Sequence, residues 1–562
     1  MFDAIVIGSG ISGGWAAKEL TEHGLKTLVI ERGQNIDPGT DYTDLLPPWE
    51  LPHAGMLPEE EAERDYAVQS KCYAMSTANK HLWVKDSEHP YSHPPERPFH
   101  WIRGYHLGGR SLTWGRQTYR LSPIDFEANA KDGHGSDWPI RYADLAPWYD
   151  HVERFAGISG SSEGLVQLPD GQFLPPMSLT PAERAFGANI EKHFPGRRLI
   201  PGRCAHLTEA RPEHTELGRT PCQYRSVCER GCRFGAYFSS LSATLPAARK
   251  TGRLTIVTDA IAHRIVYDAK TRRASGVQVI DAKTGEGRTY EGKVIFLCAS
   301  AIASAQILLN SKSEVFPTGL ANRSDAVGRY LMDHLGGGTV AGIYPGFEDL
   351  NTHGRRPNGF YIPRYRNIRE QDDFVRGYGY QGSVYRASWK ETSKFEPGIG
   401  AAFKERIRKP GPWIAAMVPF GEMLPNPDNR VTLHPTRVDR WGIPIVHIDC
   451  QLGDNDRRMR DAMFEDAKAM VSRGGARIIM ADKGHEAPLG LSIHEMGTAH
   501  MGRDPATSVL NQYNQAHDVP NLFITDGAAM ASGGCQNPSL TYMALSARGA
   551  HYAVDFLRSG VI

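Results

Sequence analysis

The first 31 residues constrain the fold more than any other part of the chain. They read as an apolar strand, a Gly-rich turn, an Ala-containing helix to about His23 and a second apolar strand that ends at Glu31. The turn carries the G-x-G-x-x-G spacing, formed by Gly8, Gly10 and Gly13. This pattern predicts a strand–helix–strand unit that binds a dinucleotide. Its glycines allow a pyrophosphate to approach, the helix N-terminus supplies N–H groups, and Glu31 can accept hydrogen bonds from a ribose. A Gly-rich turn that only packs is the alternative, and the turn does not distinguish FAD from NAD.

Composition excludes several classes of protein. The 562 residues contain 64 Lys and Arg against 63 Asp and Glu, so the net charge of +1 gives no argument for nucleic acid or an acidic membrane surface. We expect no signal peptide, because no basic segment precedes the first apolar run. We expect no transmembrane helix either, because no window reaches ~18 apolar residues. The default compartment is therefore the cytoplasm, unless a partner that carries a signal exports the folded chain.

The order of patterns along the chain predicts one nucleotide-binding domain that holds an inserted second domain. Alternating strands return between 254 and 299, a helix follows over 301–309, and a long helix follows Pro538. We also expect loops and short helices over 34–100, a binding loop over 101–120, and a helix within 136–157 that Pro147 begins. The middle of the chain, about 336–480, has the short alternating stretches of an antiparallel sheet. We assign the nucleotide-binding domain to 1–45, 95–125, 212–335 and 485–562, and the substrate-binding domain with its lid elements to 126–211 and 336–484.

Several motifs in the second half of the chain resemble those of one family. SIHEMGTAHMG (492–502), NLFITDGAAM (521–530) and CQNPSLTYMAL (535–545) resemble the glucose–methanol–choline (GMC) flavoprotein oxidoreductases. The segments LPNPDNRVTLHP, GRYLMDHL and the GGRS loop at 108–111 fit the same family, although Ala305 and Lys312 depart from its second signature. The resemblance, which runs from residue 3 to about 557, implies an α/β fold. It consists of a Rossmann-like FAD-binding domain with an inserted antiparallel-sheet substrate domain, as in p-hydroxybenzoate-hydroxylase-like proteins.

By this resemblance, His494 falls on the family's catalytic histidine and Asn537 on its partner. Alcohol oxidation by hydride transfer needs a base for the hydroxyl proton, and a neutral imidazole suits that role. The amide of Asn537 can orient the same hydroxyl. Asn537-Pro538 also reads as a helix N-cap followed by proline at the first helical position, so that the helix N-terminus would face the flavin. We expect His500 to be a supporting residue.

The resemblance also implies the residues that hold FAD. Asp526 and Gly527 would lie beside its phosphates or ribityl chain, although an Asx turn is the alternative for Asp526. Thr113 stands where some relatives attach FAD covalently through histidine, and His106 is out of register, so we expect non-covalent FAD. The expected contacts are Gly8, Gly10, Gly13, Glu31, Gly109, Ser111, Ala262, Asp526, Gly527, Asn537 and Pro538.

Three cysteines, Cys222, Cys228 and Cys232, lie within the segment 220–236. Thiolates on such a polar loop can hold iron–sulfur or zinc, although zinc usually needs a fourth ligand. A disulfide with one free thiol, or three reduced thiols, are the structural alternatives. The bacterial FAD-dependent sugar dehydrogenases that this chain resembles carry a three-cysteine [3Fe-4S] cluster in a comparable segment. We expect neighbouring arginines to offset the charge of such a cluster, namely Arg225, Arg230 and Arg233.

GRQTYRLSPIDFEAN and DWPIRYADLAPWYD most resemble glucoside 3-dehydrogenases and related sugar oxidoreductases. That resemblance implies oxidation of a sugar or glycoside, with C3 of glucosides favoured. FAD takes two electrons at once, whereas an iron–sulfur centre passes one at a time. A chain that holds both is therefore expected to deliver its electrons to a protein such as cytochrome c. A small subunit would carry the export signal to the periplasm. The alternatives are an oxygen-using sugar oxidase of the pyranose-oxidase type, a non-redox lyase on the same fold, and a non-enzymatic electron-carrier or assembly subunit.

Overall fold

The computed structural model describes residues 1–336, 338–352, 354, 356–369, 371–484 and 487–560. Two sheets dominate the fold, and helices pack against both of them. The helices are α1 Ile11–Glu22, α2 Glu59–Asp65, α3 Pro123–Asp132, α4 Tyr142–Ala156, α5 Pro181–His193, α6 Pro212–Thr215, α7 Leu245–Lys250, α8 Ala301–Asn310, α9 Trp389–Phe395, α10 Gly400–Arg408, α11 Asp454–Arg473 and α12 Ser539–Arg558.

The strands of the chain are β1 Phe2–Ile7, β2 Thr27–Ile30, β3 Ile200–Pro201, β4 Leu254–Val257, β5 Ala260–Asp268, β6 Arg273–Asp281, β7 Gly287–Leu297, β8 His334–Leu335, β9 Thr339–Ile343, β10 Phe360–Ile362, β11 Tyr378–Arg386, β12 Trp413–Glu422, β13 Arg430–Val438, β14 Pro444–Asp449, β15 Arg477–Asp482 and β16 Leu522–Ile524.

The first sheet contains the N-terminal strand at its centre. The first sheet has the order β4-β2-β1-β7-β6-β5, and β16 also pairs with β7. Its central pairs are parallel and place Ile5 opposite Leu28 and Ile295. A parallel sheet needs cover on both faces, and α1 and α12 supply part of it, since they pack against each other beside the sheet.

The second sheet has the order β15-β9-β12-β11-β10-β3, with β8 paired to β12, and every pairing is antiparallel. The helix α11 packs across β9 and β12 and buries Met459, Met463 and Met470 against them. The strands β13 and β14 form a separate hairpin. The expected α/β fold with an antiparallel sheet in the middle of the chain is therefore confirmed.

One helix begins earlier than its sequence suggests. Pro147 was expected to begin the helix within 136–157, but it lies inside α4, which begins at Tyr142. The reason is local: the carboxylate of Asp144 accepts the backbone N–H of Arg141 at 2.7 Å and stabilises the first turn. Among the described residues, no helix combines the length and the apolar character needed to cross a membrane.

Candidate active site

A cavity of about 860 Å³ runs between the two sheets. At one end its wall contains the Gly-rich turn and Glu31, and at the other end it contains His494, Asn537 and Gln381. The cavity therefore joins the predicted dinucleotide site to the predicted catalytic pair. His494 and Asn537 lie 43 residues apart in sequence, and both lie much further along the chain than the turn.

The Gly-rich turn is tight enough to require glycine at two positions. Gly8 has a φ of +96°, and a Cβ there would lie 2.4 Å from the carbonyl oxygen of Cys298. A Cβ at Gly13 would lie 1.9 Å from the carbonyl oxygen of Gly8. Gly10, in contrast, has open space beside it and lies on the cavity wall. The turn thus presents bare backbone to the cavity.

The N-terminus of α1 has the features of an anion-binding site. Gly10 is its N-cap, no side chain caps the free N–H groups, and its first turn contains no acidic residue. The positive end of the helix therefore faces the cavity without a partner from the described residues, which fits the pyrophosphate of a dinucleotide.

Glu31 lies beside this turn and is buried. One of its carboxylate oxygens accepts from the hydroxyl of Ser9 at 2.6 Å, and the other accepts from the backbone N–H of Gly33 at 2.9 Å. Burial raises the pKa of Glu31, although these hydrogen bonds oppose the shift. A carboxylate fixed in this way can also accept from ribose hydroxyls, so the donor and acceptor set fits the adenosine half of FAD.

The remaining predicted FAD contacts lie mostly on the same wall. The cavity is lined by Gly109, Ser111, Ala262, Asp526, Gly527 and Asn537. Pro538 and Gly13 do not line it; Gly13 instead allows α1 to pack on the turn. Thr113 is on the wall, whereas His106 is buried behind it with its Nδ1 3.1 Å from the carbonyl oxygen of Leu107.

Asp526 lies on the cavity wall and makes the Asx turn that was the alternative interpretation of its sequence context. Its carboxylate accepts from the backbone N–H of Ala528 at 2.9 Å, which is an Asx turn. It also accepts from the backbone of Ser300 at 2.8 Å and the hydroxyl of Ser304 at 2.6 Å. Burial raises the pKa of Asp526 to about 6 against these hydrogen bonds. Asp526 therefore joins the strand β16 to the start of α8 at the cavity wall.

His494 is held by a directional chain of hydrogen bonds. The Nε2 atom of His334 lies 2.8 Å from the carbonyl oxygen of Gly534, and its Nδ1 atom lies 2.7 Å from Nδ1 of His494. Because a carbonyl oxygen only accepts, the proton of neutral His334 must be on Nε2, which leaves its Nδ1 as an acceptor. His494 must then donate from Nδ1, and its Nε2 keeps a lone pair directed toward Asn537. His334 therefore fixes the tautomer in which His494 can act as a base.

Asn537 continues the same chain. Its Nδ2 lies 3.3 Å from Nε2 of His494, and its Oδ1 accepts from Nε2 of Gln381 at 2.6 Å. Gln381, on β11 of the second sheet, therefore determines which way the Asn537 amide faces. The expectation that Asn537 caps the last helix is wrong: α12 begins at Ser539 with Pro538 as its N-cap, because the side chain of Asn537 is bonded to Gln381 and His494 instead.

Both histidines are neutral over a wide pH range. Burial, together with the charges of His334 and Arg110, holds the pKa of His494 well below its ordinary value. Burial lowers the pKa of His334 to about 4. An imidazole that stays neutral has its lone pair free to accept a proton at neutral pH.

The backbone around His494 is fixed by Asp333. This buried carboxylate accepts the backbone N–H groups of His334, Gly490, Ser492 and His494 at 2.8–3.3 Å. Burial, with the charge of Glu495, raises its pKa to about 7. Ile493, within this segment, has a φ of +63°, a strained conformation for a β-branched residue. The surrounding bonds hold the loop in a conformation that its own sequence disfavours.

Four of these functional residues were not identified from the sequence. His334 and Asp333 lie in the GRYLMDHL motif, which indicated the family but not their roles, and Gln381 had no signal in the sequence at all. Arg110, in the GGRS loop, donates to the buried carboxylate of Glu495 at 2.8 and 3.2 Å and to Ser300 at 2.9 Å. These contacts hold the loop against the N-cap of α8 and against the segment that carries His494.

The three loop cysteines form a different kind of site. All eight cysteines of the chain are free thiols, and Cys222, Cys228 and Cys232 are half-buried while the other five are buried. Within the part of the chain that the structure describes, these three sulfurs do not form a group close enough to share one metal ion.

The charges around the cysteine loop differ from expectation. Arg225 and Arg233 both bind the carboxylate of Asp44, at 2.7 and 3.0 Å, and Arg230 donates to the carbonyl oxygen of Leu46. A different arginine, Arg116, lies behind the loop, buried and on the cavity wall. Burial opposes its charge, but Cys228 and Glu229 raise its pKa.

Cys228 also lies near a histidine. Its sulfur is 3.7 Å from Nε2 of buried His206, whose Nδ1 has no hydrogen-bond partner. Burial raises the pKa of the Cys228 thiol to about 12, although Arg116 opposes the shift. Without a metal, Cys228 is therefore a neutral thiol, and a bound cation would be needed to deprotonate it.

Two family models match the chain. The model of the N-terminal GMC oxidoreductase domain matches residues 2–336, and the model of the C-terminal domain matches residues 425–546. Together they cover the Gly-rich turn, His334, His494 and Asn537, and leave most of the antiparallel sheet outside.

Individual proteins agree over nearly the whole length. The chain is 27% identical to the fructose dehydrogenase large subunit of Gluconobacter japonicus, with 99% of this chain and 98% of that protein aligned. It is 28% identical to 6'''-hydroxyparomomycin C oxidase of Streptomyces lividus, with 99% and 92% aligned. A formate oxidase variant from Aspergillus oryzae RIB40, studied for FAD modification, has a TM-score of 0.63 at 14% identity, with 100% and 99% covered. This last likeness shows the fold.

Proposed function

This chain belongs to the GMC oxidoreductase family and is an FAD oxidoreductase that acts on the CH–OH groups of alcohols or sugars; from that premise, we propose that it is a sugar or glycoside dehydrogenase. The favoured reaction is oxidation of a ring hydroxyl to a carbonyl, at C3 of a glucoside, with His494 as the base. The observation that carries the proposal is the hydrogen-bond chain that leaves Nε2 of His494 as an acceptor beside Asn537 on the cavity wall.

The reaction removes a proton from oxygen and a hydride from carbon. FAD, when bound in the cavity, supplies the hydride acceptor. A substrate hydroxyl that replaces the contact between His494 and Asn537 can donate to Nε2 of His494 and accept from Nδ2 of Asn537. His494 then takes the proton, and Asn537 keeps the oxygen in place as its bond to carbon shortens.

The cavity wall near His494 suits a sugar. Gln381 and Gln117 bring side-chain amides to it, Ser383 brings a hydroxyl, and Phe420 lies with its ring centroid 6.0 Å from that of His494. Amides and hydroxyls can bind the hydroxyl groups of a sugar, while an aromatic ring can pack on its C–H face. The named sugar relative supports the same substrate class.

The cysteine loop supports a route for electrons to a protein. In this proposal, Cys222, Cys228 and Cys232 would hold a [3Fe-4S] cluster, and Arg116, on the cavity wall near Cys228, would help to balance its charge. The acceptor is a protein such as cytochrome c. The relative from Gluconobacter japonicus is named a large subunit, which supports a smaller partner. That partner would carry the export signal, so the complex would act in the periplasm.

Anaerobic mixing of the purified holoenzyme with a panel of sugars and glycosides tests the proposal. We expect a glucoside to bleach the flavin absorbance, and NMR of the product to locate the new carbonyl at C3. Flavin that stays oxidised with every sugar while product forms would instead indicate a lyase and overturn the proposal.

Iron analysis and EPR of the oxidised enzyme test the electron route separately. We expect a three-iron signal and little peroxide during turnover in air. Iron-free protein that makes peroxide from sugar would identify an oxygen-using oxidase, as the name of the Streptomyces relative suggests for that protein.

A further inference from the structure

A group of possible metal ligands lies outside the cavity wall, near the end of α1 that is away from the Gly-rich turn. Nε2 of His151 lies 2.7 Å from Oε1 of Glu19, and Nε2 of His551 lies 2.7 Å from Oε2 of the same carboxylate. All three ligand atoms lie within 4.8 Å of one another. Among the described residues, this is the group of three whose ligand atoms are close enough to share one ion.

The ligand atoms have hydrogen-bond spacing, and a metal ion can take the place of the protons if the rings move outward. Zinc lies about 2.0–2.2 Å from imidazole nitrogen and carboxylate oxygen. Two ligands at those distances and 2.7 Å apart subtend an angle of roughly 80° at the ion, which is narrower than the tetrahedral angle that zinc prefers. An ion between the carboxylate and the two rings would therefore replace the protons after the partly exposed rings move away from Glu19 by roughly 0.7 Å.

Three separate helices hold the ligands. Glu19 is on α1, His151 on α4 and His551 on α12, and each of these helices packs against at least one of the others. Glu19 is 1% exposed, whereas the side chains of His151 and His551 are 39% and 33% exposed. The carboxylate is thus fixed at the base of the site and the two rings lie at the surface, where an ion can enter.

A further imidazole and an aromatic ring complete the surroundings. Nδ1 of His23 lies 2.8 Å from the carbonyl oxygen of Glu19, so its proton is on Nδ1 and its Nε2 keeps a lone pair. The ring of His23 is 4.3 Å from that of His551, and the ring of Trp148 is 4.8 Å from it. His23 therefore lies beside the site but outside the group of three whose ligand atoms lie within 4.8 Å of one another.

One positive charge faces the site. Nζ of Lys18 lies 3.0 Å from Oε1 of Glu19 and 2.8 Å from Oε2 of Glu22. When an ion takes both oxygens of Glu19, Lys18 keeps Glu22 as its counter-ion, and the rings of Trp15 and Phe155 lie 5.3 and 4.5 Å away. The site thus gains a cation without leaving the buried lysine unpaired.

We propose that Glu19, His151 and His551 form a binding site for a divalent transition-metal ion of the zinc type, which joins α1, α4 and α12. The ion has a structural role. The opposite end of α1 begins at the Gly-rich turn, and α12 begins two residues after Asn537, so the site fastens together the two helices whose first residues reach the cavity.

The test compares zinc binding in the holoenzyme and in a paired variant, His151→Gln with His551→Gln. Glutamine can still donate a hydrogen bond to Glu19 but is a poor zinc ligand, so the variant keeps the contact and loses the site. After chelation and equilibrium dialysis with Zn²⁺, we expect the natural chain to hold one more zinc than the variant. Zinc should raise its melting temperature by about 2 °C, and should leave the variant unchanged.

The exposed residue His134 provides the matched control, since His134→Gln should bind zinc as the natural chain does. Equal zinc content and an equal thermal response in the natural chain and the paired variant would overturn the proposal. If the paired variant does not fold, protection of His151 and His551 from diethylpyrocarbonate by Zn²⁺ decides the question in the natural chain, and no protection overturns it. Sugar oxidation does not enter either measurement.

Discussion

The surroundings of His494 and those of the cysteine loop differ in how much of each site the contacts of the protein itself hold in place. His494 has a protein partner on each nitrogen and on its backbone N–H, and the partners come from β8, from the residue before it and from the segment just before α12. The cysteine loop is irregular, and Tyr224 and Ser226 within it have φ values of +54°. Its three thiols are half-buried, and within the described residues their sulfurs do not all lie within 4.8 Å of one another.

This difference follows from what each site has to do. A base must present one lone pair in one direction before substrate arrives, so its tautomer and orientation are fixed by hydrogen bonds. Metal ligands obtain their final arrangement from the metal, because binding supplies free energy that can order a loop. The comparison predicts that substitutions near His494 change chemistry, whereas substitutions in the cysteine loop change cofactor content and electron delivery.

The largest effect is expected for His494→Ala. Loss of the base should slow flavin reduction by sugar on the order of 10³-fold, as for removal of a general base. FAD should stay bound, because its predicted contacts lie at the turn and along the wall rather than at His494. Anaerobic stopped-flow absorbance measures the rate and the flavin spectrum measures the content. An unchanged rate would contradict the assignment of the base.

Cys228→Ser should separate the two regions most clearly. We expect iron content and turnover with a protein acceptor to be lost, while anaerobic flavin reduction by sugar stays the same. Cys298→Ser is the matched control, since Cys298 is buried just after β7 beside Thr525, and its substitution should leave iron content unchanged. Acceptor turnover that survives Cys228→Ser with full iron content would show that the loop does not hold the cluster.

The sequence allowed much of the fold to be predicted for a physical reason. The turn needs Gly8 and Gly13 because any Cβ would collide with backbone, and the strand Phe2–Ile7 is apolar from Ala4 onward because its residues there are buried on both faces. Such short-range requirements are visible in the sequence. The start of α4 was missed because the hydrogen bond from Arg141 to Asp144 outweighed the usual position of proline.

The candidate site could be predicted only where a motif marked it. His494 and Asn537 lie in family motifs, but the partner that fixes each of them is more than 150 residues away in sequence: His334 lies 160 residues from His494, and Gln381 lies 156 residues from Asn537. Local patterns carry no information about which distant side chains meet. The direction of the hydrogen-bond chain needed the structure, because it depends on Gly534 offering a carbonyl to His334.

His334→Ala tests whether the tautomer of His494 matters. Without an acceptor for its Nδ1 proton, His494 can turn or exchange tautomers, and we expect flavin reduction to fall about 10²-fold, the cost of a small misplacement of a reacting group. His334→Gln retains an oxygen that can accept this proton and should recover part of the rate. A rescue of kcat with little change in KM distinguishes positioning from substrate binding. Equal rates in both variants would contradict the role in fixing the tautomer.

Gln381→Leu should have a smaller effect. The variant removes the donor to Oδ1 of Asn537, so the amide can flip and present its oxygen to the base. Loss of one hydrogen bond is worth about 1 kcal/mol, so we expect roughly a fivefold fall in flavin reduction. Gln117→Leu, on the same wall but not bonded to Asn537, is the control. The same fall in both would assign the effect to the cavity wall as a whole.

The smallest effect is a change in stability with pH caused by His494. Its folded pKa lies below the ordinary value, so the unfolded chain takes up a proton as pH falls through about 6.5 while the folded chain does not. The natural chain therefore loses about 0.8 kcal/mol between pH 7.5 and pH 6 through this residue, and His494→Gln does not lose it. The melting temperature of the variant should rise relative to that of the natural chain by about 1 °C over this interval, and the Cys228→Ser variant should show no such relative rise. A relative fall for His494→Gln would mean that His494 is protonated in the folded enzyme, which would leave it without the lone pair that the proposed reaction needs.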